Sequence, residues 1–230
     1  MARAERTLRG LVQKDSPIAD VLTDDVAHTL PSFGQLWDAV QASLDELYAR
    51  DMDLLGTTER AVVGRLMVYL DRHLAALSSS GLVIDQDYER AGQATKRLTA
   101  RGMPDKKIVP DLIFHRRRDL GPTGNVLAIE VKTDRRADGR LHDFAKLSVL
   151  TGHVTTAIAY GKYLRLHGDR APEGQARTAD VSLPLGMSPY KYGIWLLLEP
   201  RGTECWWWSN GKAPQPLNYM APTSDLPSPP

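Results

Sequence analysis

Residues 125–133 form the stretch that most restricts how this chain can fold. Positions 126–129 are all apolar, and two charged residues, Glu130 and Lys132, follow directly. Side chains alternate between the two faces of a β-strand, so Glu130 and Lys132 project from the same face. Burying an unpaired charge is costly, and these charges therefore need partners. The stretch predicts a buried strand with a polar site at one end.

A second segment, residues 108–115, predicts a neighbouring strand and contains Asp111. Residues 117–124, between the two strands, are rich in glycine and proline and predict a turn. A hairpin around this turn brings Asp111 towards Glu130, and two close carboxylates repel each other unless a cation lies between them. Magnesium-type cations prefer carboxylate and carbonyl oxygens. Asp111, Glu130 and the carbonyl of Val131 are therefore candidate metal ligands.

Lys132 adds a second chemical element to this arrangement. A lysine two residues from a metal ligand can orient a water molecule and offset the negative charge that develops on a phosphate during hydrolysis. The residues together predict a site that hydrolyses a phosphodiester. The structural alternative is a salt-bridged pair on a sheet edge, because the triplet Glu-x-Lys alone is common. The presence of Asp111 at hairpin distance favours the hydrolytic site.

Two helices precede these strands. Ser32 and Gln35 have the spacing of a capping box, and apolar residues then recur at helical spacing as far as position 48. A second helix begins after Thr57 or Thr58, and its apolar stripe places Glu59 on the inward face. Attraction of an acid to the helix dipole is the alternative explanation for Glu59.

The remaining chain completes an α/β domain with a central mixed β-sheet flanked by helices. A helix is predicted at residues 141–150, and further strands begin at Leu82, at Tyr190 and at Glu204. The predicted organisation has three parts: an N-terminal helical extension at residues 1–56, the main domain at 57–211 with an insertion at about 151–189, and a Pro-rich disordered tail at 212–230.

Composition narrows the class of protein. Apolar residues make up 42% of the chain, charged residues make up 25%, and the net charge is +1, so no global field attracts an anionic partner. Residues 96–118 nevertheless contain eight Lys or Arg residues and two Asp residues. This local basic cluster is either a surface that binds phosphate or an ordinary solvated face. Cys205 is the single cysteine, and no Cys/His spacing typical of zinc sites occurs. Without a signal peptide or an apolar run long enough to span a bilayer, a cytoplasmic location is expected.

The chain resembles the PD-(D/E)xK nuclease superfamily in two motifs, the dipeptide Pro110-Asp111 and the tripeptide Glu130-Val131-Lys132. The motifs occur in this order after a helix that carries an acid. More narrowly, the strings KKIVPDLIFHRR, NVLAIEVK and HDFAKL resemble a group of small bacterial proteins of this superfamily. The resemblance covers residues 57–150 well and 190–211 loosely. It implies a restriction-endonuclease-like fold that binds Mg²⁺ or Mn²⁺.

The resemblance also assigns roles. It implies that Asp111 and Glu130 are metal ligands, that Lys132 is the catalytic lysine, and that Glu59 is a further acid that assists the metal. DNA is the expected partner, RNA is less favoured, and a homodimer or a partner protein is possible. The alternative is a catalytically silent nucleic-acid-binding or protein-interaction module on a nuclease-like fold.

Several further residues are secondary candidates for contacts with nucleic acid. His115 shares a face with Asp111, and either His115 or Arg116 can reach a phosphate or serve a structural role. Arg90 follows the first strand, where Glu89 is a candidate partner or site residue. Lys146 can face phosphate or pair with Asp143 at the i, i+3 spacing of a helix. The last set is aromatic and is expected to cover a core or a partner rather than to stack on bases: Trp206, Trp207 and Trp208.

Overall fold

A computed structural model of the chain describes residues 30–88, 90–91, 94–95, 97–98, 106–107, 109–134, 137–153, 183, 187–200, 202–209, 212 and 214–221. Helix α1 (Phe33–Arg50) begins at the predicted capping box. The Ser32 hydroxyl accepts the Gln35 N–H at 3.3 Å, and the Gln35 side chain accepts the Ser32 N–H at 2.9 Å. Helix α2 (Glu59–Leu74) begins after Thr58, whose hydroxyl accepts the Ala61 N–H. Short 3-10 segments follow α1 and α2.

Among the described residues, the central sheet has six strands, which lie side by side in this order: β1 (Val83–Gln86), β6 (Leu112–His115), β7 (Asn125–Lys132), β8 (Tyr192–Glu199), β9 (Gly202–Ser209) and β10 (Gln215–Leu217). All neighbouring pairs are antiparallel except β7 and β8, which are parallel and are separated in sequence by helix α3 (Ala137–Leu150). Such a parallel pair needs a long crossover connection.

Four two-residue strands lie between β1 and β6 and form two small hairpins outside the central sheet. Strand β2 (Arg90–Ala91) pairs with β3 (Ala94–Thr95), and β4 (Arg97–Leu98) pairs with β5 (Lys106–Lys107). Part of the basic cluster at residues 96–118 is therefore carried by β4 and β5.

The sheet has a helical layer on each face. Helices α1 and α2 cover one face, against alternate residues that include Ile129 and Val131 of β7. Helix α3 covers the other face, against Ala128 of β7 and Trp195 of β8. The mixed sheet and its two helical layers confirm the predicted α/β class. Glu130 lies between Ile129 and Val131 in sequence and therefore faces the opposite layer, that of α3.

Several elements differ in extent from the sequence prediction. Strand β6 begins at Leu112 rather than at residue 108, and Asp111 lies in a bend directly before it, because Pro110 has no N–H to donate to a strand ladder. Helix α3 begins at Ala137, four residues before the predicted position 141. Most of the predicted insertion at residues 151–189 lies outside the described residues.

Both ends of the described chain are part of the folded domain. Helix α1, predicted as part of an extension, contributes residues with no exposed surface to the same apolar cluster as α2 and the sheet. Strand β10 lies within the predicted disordered tail at 212–230, but it pairs with β9 from Gln215 to Leu217. No helix among the described residues is long and apolar enough to cross a membrane.

Candidate active site

Asp111 is held against the end of β7. One carboxylate oxygen of Asp111, Oδ2, accepts the backbone N–H of Val131 at 2.7 Å. The backbone carbonyl of Asp111 accepts the N–H of Asp87 at 3.1 Å. Strand β6 pairs with β7 only as far as the Leu112–Ile129 position, so the Asp111 side chain continues the ladder beyond the last pair. Burial raises the pKa of Asp111, while Lys146 and Val131 oppose this shift. The carboxylate therefore lies beside the main chain that joins Glu130 to Lys132.

Glu130 is fully buried on the α3 face of β7. Its Oε2 lies 2.6 Å from the Lys146 ammonium, yet no described donor makes a well-aligned hydrogen bond to either carboxylate oxygen. Burial raises the pKa of Glu130 well above its usual range, the charge of Lys146 lowers it, and the charge of Asp111 raises it again. A buried carboxylate with so few donors is expensive for the fold, and such groups mark functional sites.

Lys132, the last residue of β7, lies between two acids from different helices. Its Nζ is 2.9 Å from Glu59 Oε1 on α2 and 3.4 Å from Asp143 Oδ2 on α3. Asp143 also accepts a hydrogen bond from the indole of Trp195 at 3.3 Å. Burial lowers the pKa of Lys132, but the carboxylates of Asp143 and Glu59 outweigh this effect and the pKa lies above its ordinary value. Lys132 is therefore an ammonium ion at neutral pH.

Lys146 lies inside the site rather than on the surface. Besides Glu130, its Nζ donates to the carbonyl of Val109 at 3.1 Å, and its side chain is 12% exposed. Burial lowers the pKa of Lys146, but the charges of Glu130, Asp111 and Asp143 together raise it above its ordinary value. The ammonium thus lies in the field of three carboxylates, which come from β7, from α3 and from the bend before β6.

Together these residues form a carboxylate–lysine cluster in which acids outnumber bases. Burial raises the pKa of Asp111, Glu130 and Asp143, and repulsion between carboxylates adds to the shift at Asp111 and Glu130. The charge of Lys146 opposes the shift at all three. Four carboxylates face two ammonium groups, so the ionised cluster lacks two positive charges. The members of the cluster are Glu59, Asp111, Lys132, Glu130, Asp143 and Lys146.

Asp143 is the member that sequence reasoning missed. Its spacing to Lys146 indicates an ordinary i, i+3 pair on a helix surface, but Asp143 is 2% exposed and pairs with Lys132 instead. The nearby apolar residues Phe144 and Leu147 are the signal that this side of α3 is buried. The partner of Asp143 depends on where α3 crosses the sheet, which no local pattern specifies.

A polar cavity of about 210 Å³ lies beside the cluster. Its walls come from the start of α2, the end of β1 and the bend before β6. The cavity is lined by Glu59, Arg60, Val63, Gln86, Asp87 and Asp111. Within the described part of the chain, no three Asp, Glu, His or Cys residues stand in the arrangement of a complete metal-binding group.

His115 and Arg116 lie away from this cluster, at the other end of β6, where His115 pairs with Asn125 at the start of β7. His115 is 3% exposed, and its Nε2 lies 2.9 Å from Asp85 Oδ2. Arg116 pairs with Asp119 at 3.1 Å. The backbone of Arg90 belongs to β2, and Glu89 lies outside the described residues. These positions give His115 and Arg116 acidic partners from the protein itself.

The tryptophans of β9 pack against both helical layers, as predicted. Trp207 stacks on Phe33 of α1, and Trp208 is fully buried with its indole donating to Ser148 of α3 at 2.9 Å. Trp206 is half-buried and contacts Phe144 edge to face. Their main role is therefore to hold helices to the sheet.

Comparison with known proteins leaves the family open. No protein-family model, curated protein or solved structure matches this chain. The geometry of the cluster and the chemistry of its residues are therefore the observations that bear on function.

Proposed function

We propose that this protein is a metal-dependent nuclease that hydrolyses phosphodiester bonds of DNA, with RNA as the less favoured substrate. The observation that carries the proposal is the convergence of Asp111, Glu130 and Lys132 with Glu59. These residues come from one strand, from the bend before its neighbour and from a helix, and they lie far apart in sequence. The mixed sheet, with β6 and β7 antiparallel and β7 and β8 parallel, is compatible with a restriction-endonuclease-like fold.

The donor set fits a magnesium-type cation. Magnesium is commonly bound by one or two carboxylates and keeps several waters, so a complete protein cage is not required. Asp111, Glu130 and the carbonyl of Val131 would hold Mg²⁺ or Mn²⁺, and Glu59 would assist from the cavity wall. The two missing positive charges of the cluster match one divalent cation. Such a cation lowers the pKa of water and offsets negative charge on a phosphate.

Lys132 supplies fixed positive charge in this proposal. Its raised pKa keeps it protonated, so it donates hydrogen bonds and does not act as a general base. Glu59 and Asp143 hold its ammonium from opposite sides, which limits its movement before substrate arrives. A preorganised cation is effective where negative charge develops in the transition state.

Substrate contacts are proposed to be mostly to phosphate. Arg60, with a side chain 84% exposed, follows Glu59 on α2 and lines the cavity beside the cluster. Arg117, with a side chain 60% exposed, lies in the turn after β6, at the end of the strand remote from the cluster. His115, Arg116, Arg90 and Lys146 remain the candidates that the sequence indicated. Contacts of this kind favour binding without base recognition, and the affinity then falls steeply with salt concentration.

One observation favours the alternative of a catalytically silent nucleic-acid-binding or protein-interaction module. Lys146 already supplies a positive charge to Glu130, so part of the carboxylate charge is balanced without any metal. A module of this kind would retain DNA but would not cut it.

A cleavage assay distinguishes the two functions. Single-stranded, duplex and branched DNA are incubated with the protein in MgCl₂, MnCl₂ or EDTA. We expect cleavage that EDTA abolishes, and a Lys132→Met variant that is at least about 100-fold slower, the loss typical of one charge-stabilising donor.

The matched control is Lys191→Met. Lys191 precedes β8 and lies at the opposite end of the sheet, beside Asn125 at the start of β7, so its replacement should leave the rate unchanged. Equal inertness of the wild-type protein and Lys132→Met on all three substrates would reject the nuclease and favour the silent module.

A further inference from the structure

Lys146 occupies the position where a cation is most needed in the cluster. Its ammonium lies 2.6 Å from Glu130 Oε2 and also binds the carbonyl of Val109, two residues before Asp111. Glu130 has no exposed surface, and within the described chain it forms no other ion pair. A buried carboxylate without a nearby cation is unstable in its charged form. Lys146 therefore balances the charge of Glu130 in the metal-free protein.

A divalent cation at Asp111 and Glu130 would need the Glu130 carboxylate, and Lys146 now lies 2.6 Å from Oε2 of that carboxylate. Two cations a few ångströms apart repel strongly where little water separates them. The side chain of Lys146 is 12% exposed, so solvent screens this repulsion weakly. A metal ion can therefore enter only if the ammonium moves away from Glu130.

We propose that Lys146 is the resident counter-ion of Glu130 and that a divalent cation competes with its ammonium for this carboxylate. The proposal rests on the proposed function, because it places the metal at Asp111 and Glu130. It adds a regulation of the site: in the metal-free protein Lys146 neutralises Glu130, and metal occupancy depends on the metal concentration that displaces the lysine.

Lys132 provides a matched comparison within the same cluster. Its ammonium forms ion pairs with Glu59 and Asp143 and forms none with Glu130. Replacement of either lysine by methionine removes one positive charge and keeps a similar side-chain length. A difference between the two variants therefore reports the direct contact and not the net charge alone.

The test is Mn²⁺ binding measured by isothermal titration calorimetry on the wild-type protein, Lys146→Met and Lys132→Met. We expect Lys146→Met to bind Mn²⁺ at least about tenfold more tightly than wild type, and Lys132→Met to gain clearly less, because Coulomb repulsion falls with distance. Thermal unfolding gives a second readout. Lys146→Met should melt below wild type without metal and regain most of that loss in MnCl₂.

Each result separates this proposal from the proposed function. Equal or weaker Mn²⁺ binding by Lys146→Met, with measurable binding by wild type, overturns the competition and leaves the nuclease intact. No binding by any of the proteins overturns both. Binding by Lys146→Met alone supports the counter-ion and overturns metal-dependent hydrolysis by the wild-type protein.

A second set of variants keeps the proposal testable if Lys146→Met does not fold. Lys146→Gln retains a donor for the Val109 carbonyl and is titrated in the same way. The double variant Glu130→Gln/Lys146→Met removes both charges of the pair and should be more stable than Lys146→Met alone, because no unpaired carboxylate remains. A double variant that is no more stable would overturn the role of Lys146 as counter-ion.

Discussion

At the scale of a single residue, Asp85 on β1 organises the polar contacts at the end of β6 that is remote from the cluster. Its carboxylate binds His115 Nε2 and Arg117 Nε, each at 2.9 Å, and its side chain is 13% exposed. Burial raises the pKa of Asp85, but the hydrogen bonds from Arg117 and His115 outweigh it, so the pKa lies below its ordinary value. Asp85 is therefore more stable in its charged form in the folded protein than in the unfolded chain.

A dependence of stability on pH follows from this lowered pKa. Ionised Asp85 stabilises the fold above its unfolded pKa of about 3.9, and this contribution is lost as the pH falls through the lower folded value. We expect Asp85→Asn to reduce the free energy of unfolding by about 2 kcal/mol at pH 7, the range for hydrogen bonds to a charged group. The difference from wild type should shrink towards zero at lower pH.

Urea unfolding at a series of pH values from neutral to acidic measures this difference. Asp71→Asn, an exposed position on α2, is the control and should stay close to wild type at neutral pH. A cost for Asp85→Asn that is the same at acidic and neutral pH would show that the charge of Asp85 contributes nothing.

Sequence reasoning placed some cluster residues well and others poorly. Strand alternation placed Glu130 and Lys132 on one face, and helix periodicity turned Glu59 towards the sheet; the Lys132–Glu59 ion pair agrees with both. Asp143 and Lys146 come from a helix that crosses the sheet, so their partners depend on packing between distant elements. Local spacing could indicate only that the two residues lie near each other on α3.

At the scale of elements, the turn between β6 and β7 determines where the residues of the cluster meet. Asp119 accepts the N–H of Gly121 at 2.8 Å, and the Arg116 N–H donates to the carbonyl of Gly124 at 2.8 Å. A β-carbon on Gly124 would lie 2.1 Å from the Asp119 carbonyl oxygen, so only glycine fits. Because the turn fixes the pairing of the two strands, it also fixes Asp111 relative to Glu130.

Replacement of Gly124 by alanine tests this constraint. We expect Gly124→Ala to reduce the free energy of unfolding by about 2 kcal/mol or more, because the backbone of the turn must move to admit a methyl group. Gly56→Ala is the control, since no atom lies within 4 Å of a β-carbon there, and its stability should change by less than about 1 kcal/mol. Equal effects of the two variants in urea unfolding would argue against a close-packed turn.

Element boundaries were predicted less well than the elements themselves. The apolar runs of β7 and β8 identified these strands, since each is long and buried. The three tryptophans after a turn identified β9, which is mostly half-buried. Strand β10 was predicted as disordered tail because Pro216 and its neighbours have turn-like composition, yet the three residues pair with β9 at the edge of the sheet. An edge strand tolerates proline because one side of its backbone needs no partner.

At the scale of the whole molecule, α1 completes the domain. Leu36, Val40 and Leu44 have no exposed surface and pack in the same cluster as α2 and the sheet. The hydroxyl of Tyr48 donates to the carbonyl of Glu199 at 2.8 Å and also contacts Thr203, which fixes the end of α1 to the β8–β9 turn. The described part of residues 1–56 is therefore structural core of the same domain that carries the cluster.

A chain that begins at Thr57 should consequently fail to fold. Loss of α1 removes several fully buried leucine and valine side chains, each worth about 1.5–3 kcal/mol, and it exposes their partners on α2. The sum approaches the total stability of about 5–15 kcal/mol that is usual for a domain. Circular dichroism during urea titration should show no cooperative transition for the shortened chain.

The control is the full chain with Leu44→Ala, which should still unfold cooperatively, with a free energy of unfolding lower by about 3 kcal/mol. A cooperative transition of the shortened chain near the wild-type midpoint would instead make α1 an appended helix, and the domain with its carboxylate–lysine cluster would then begin at α2.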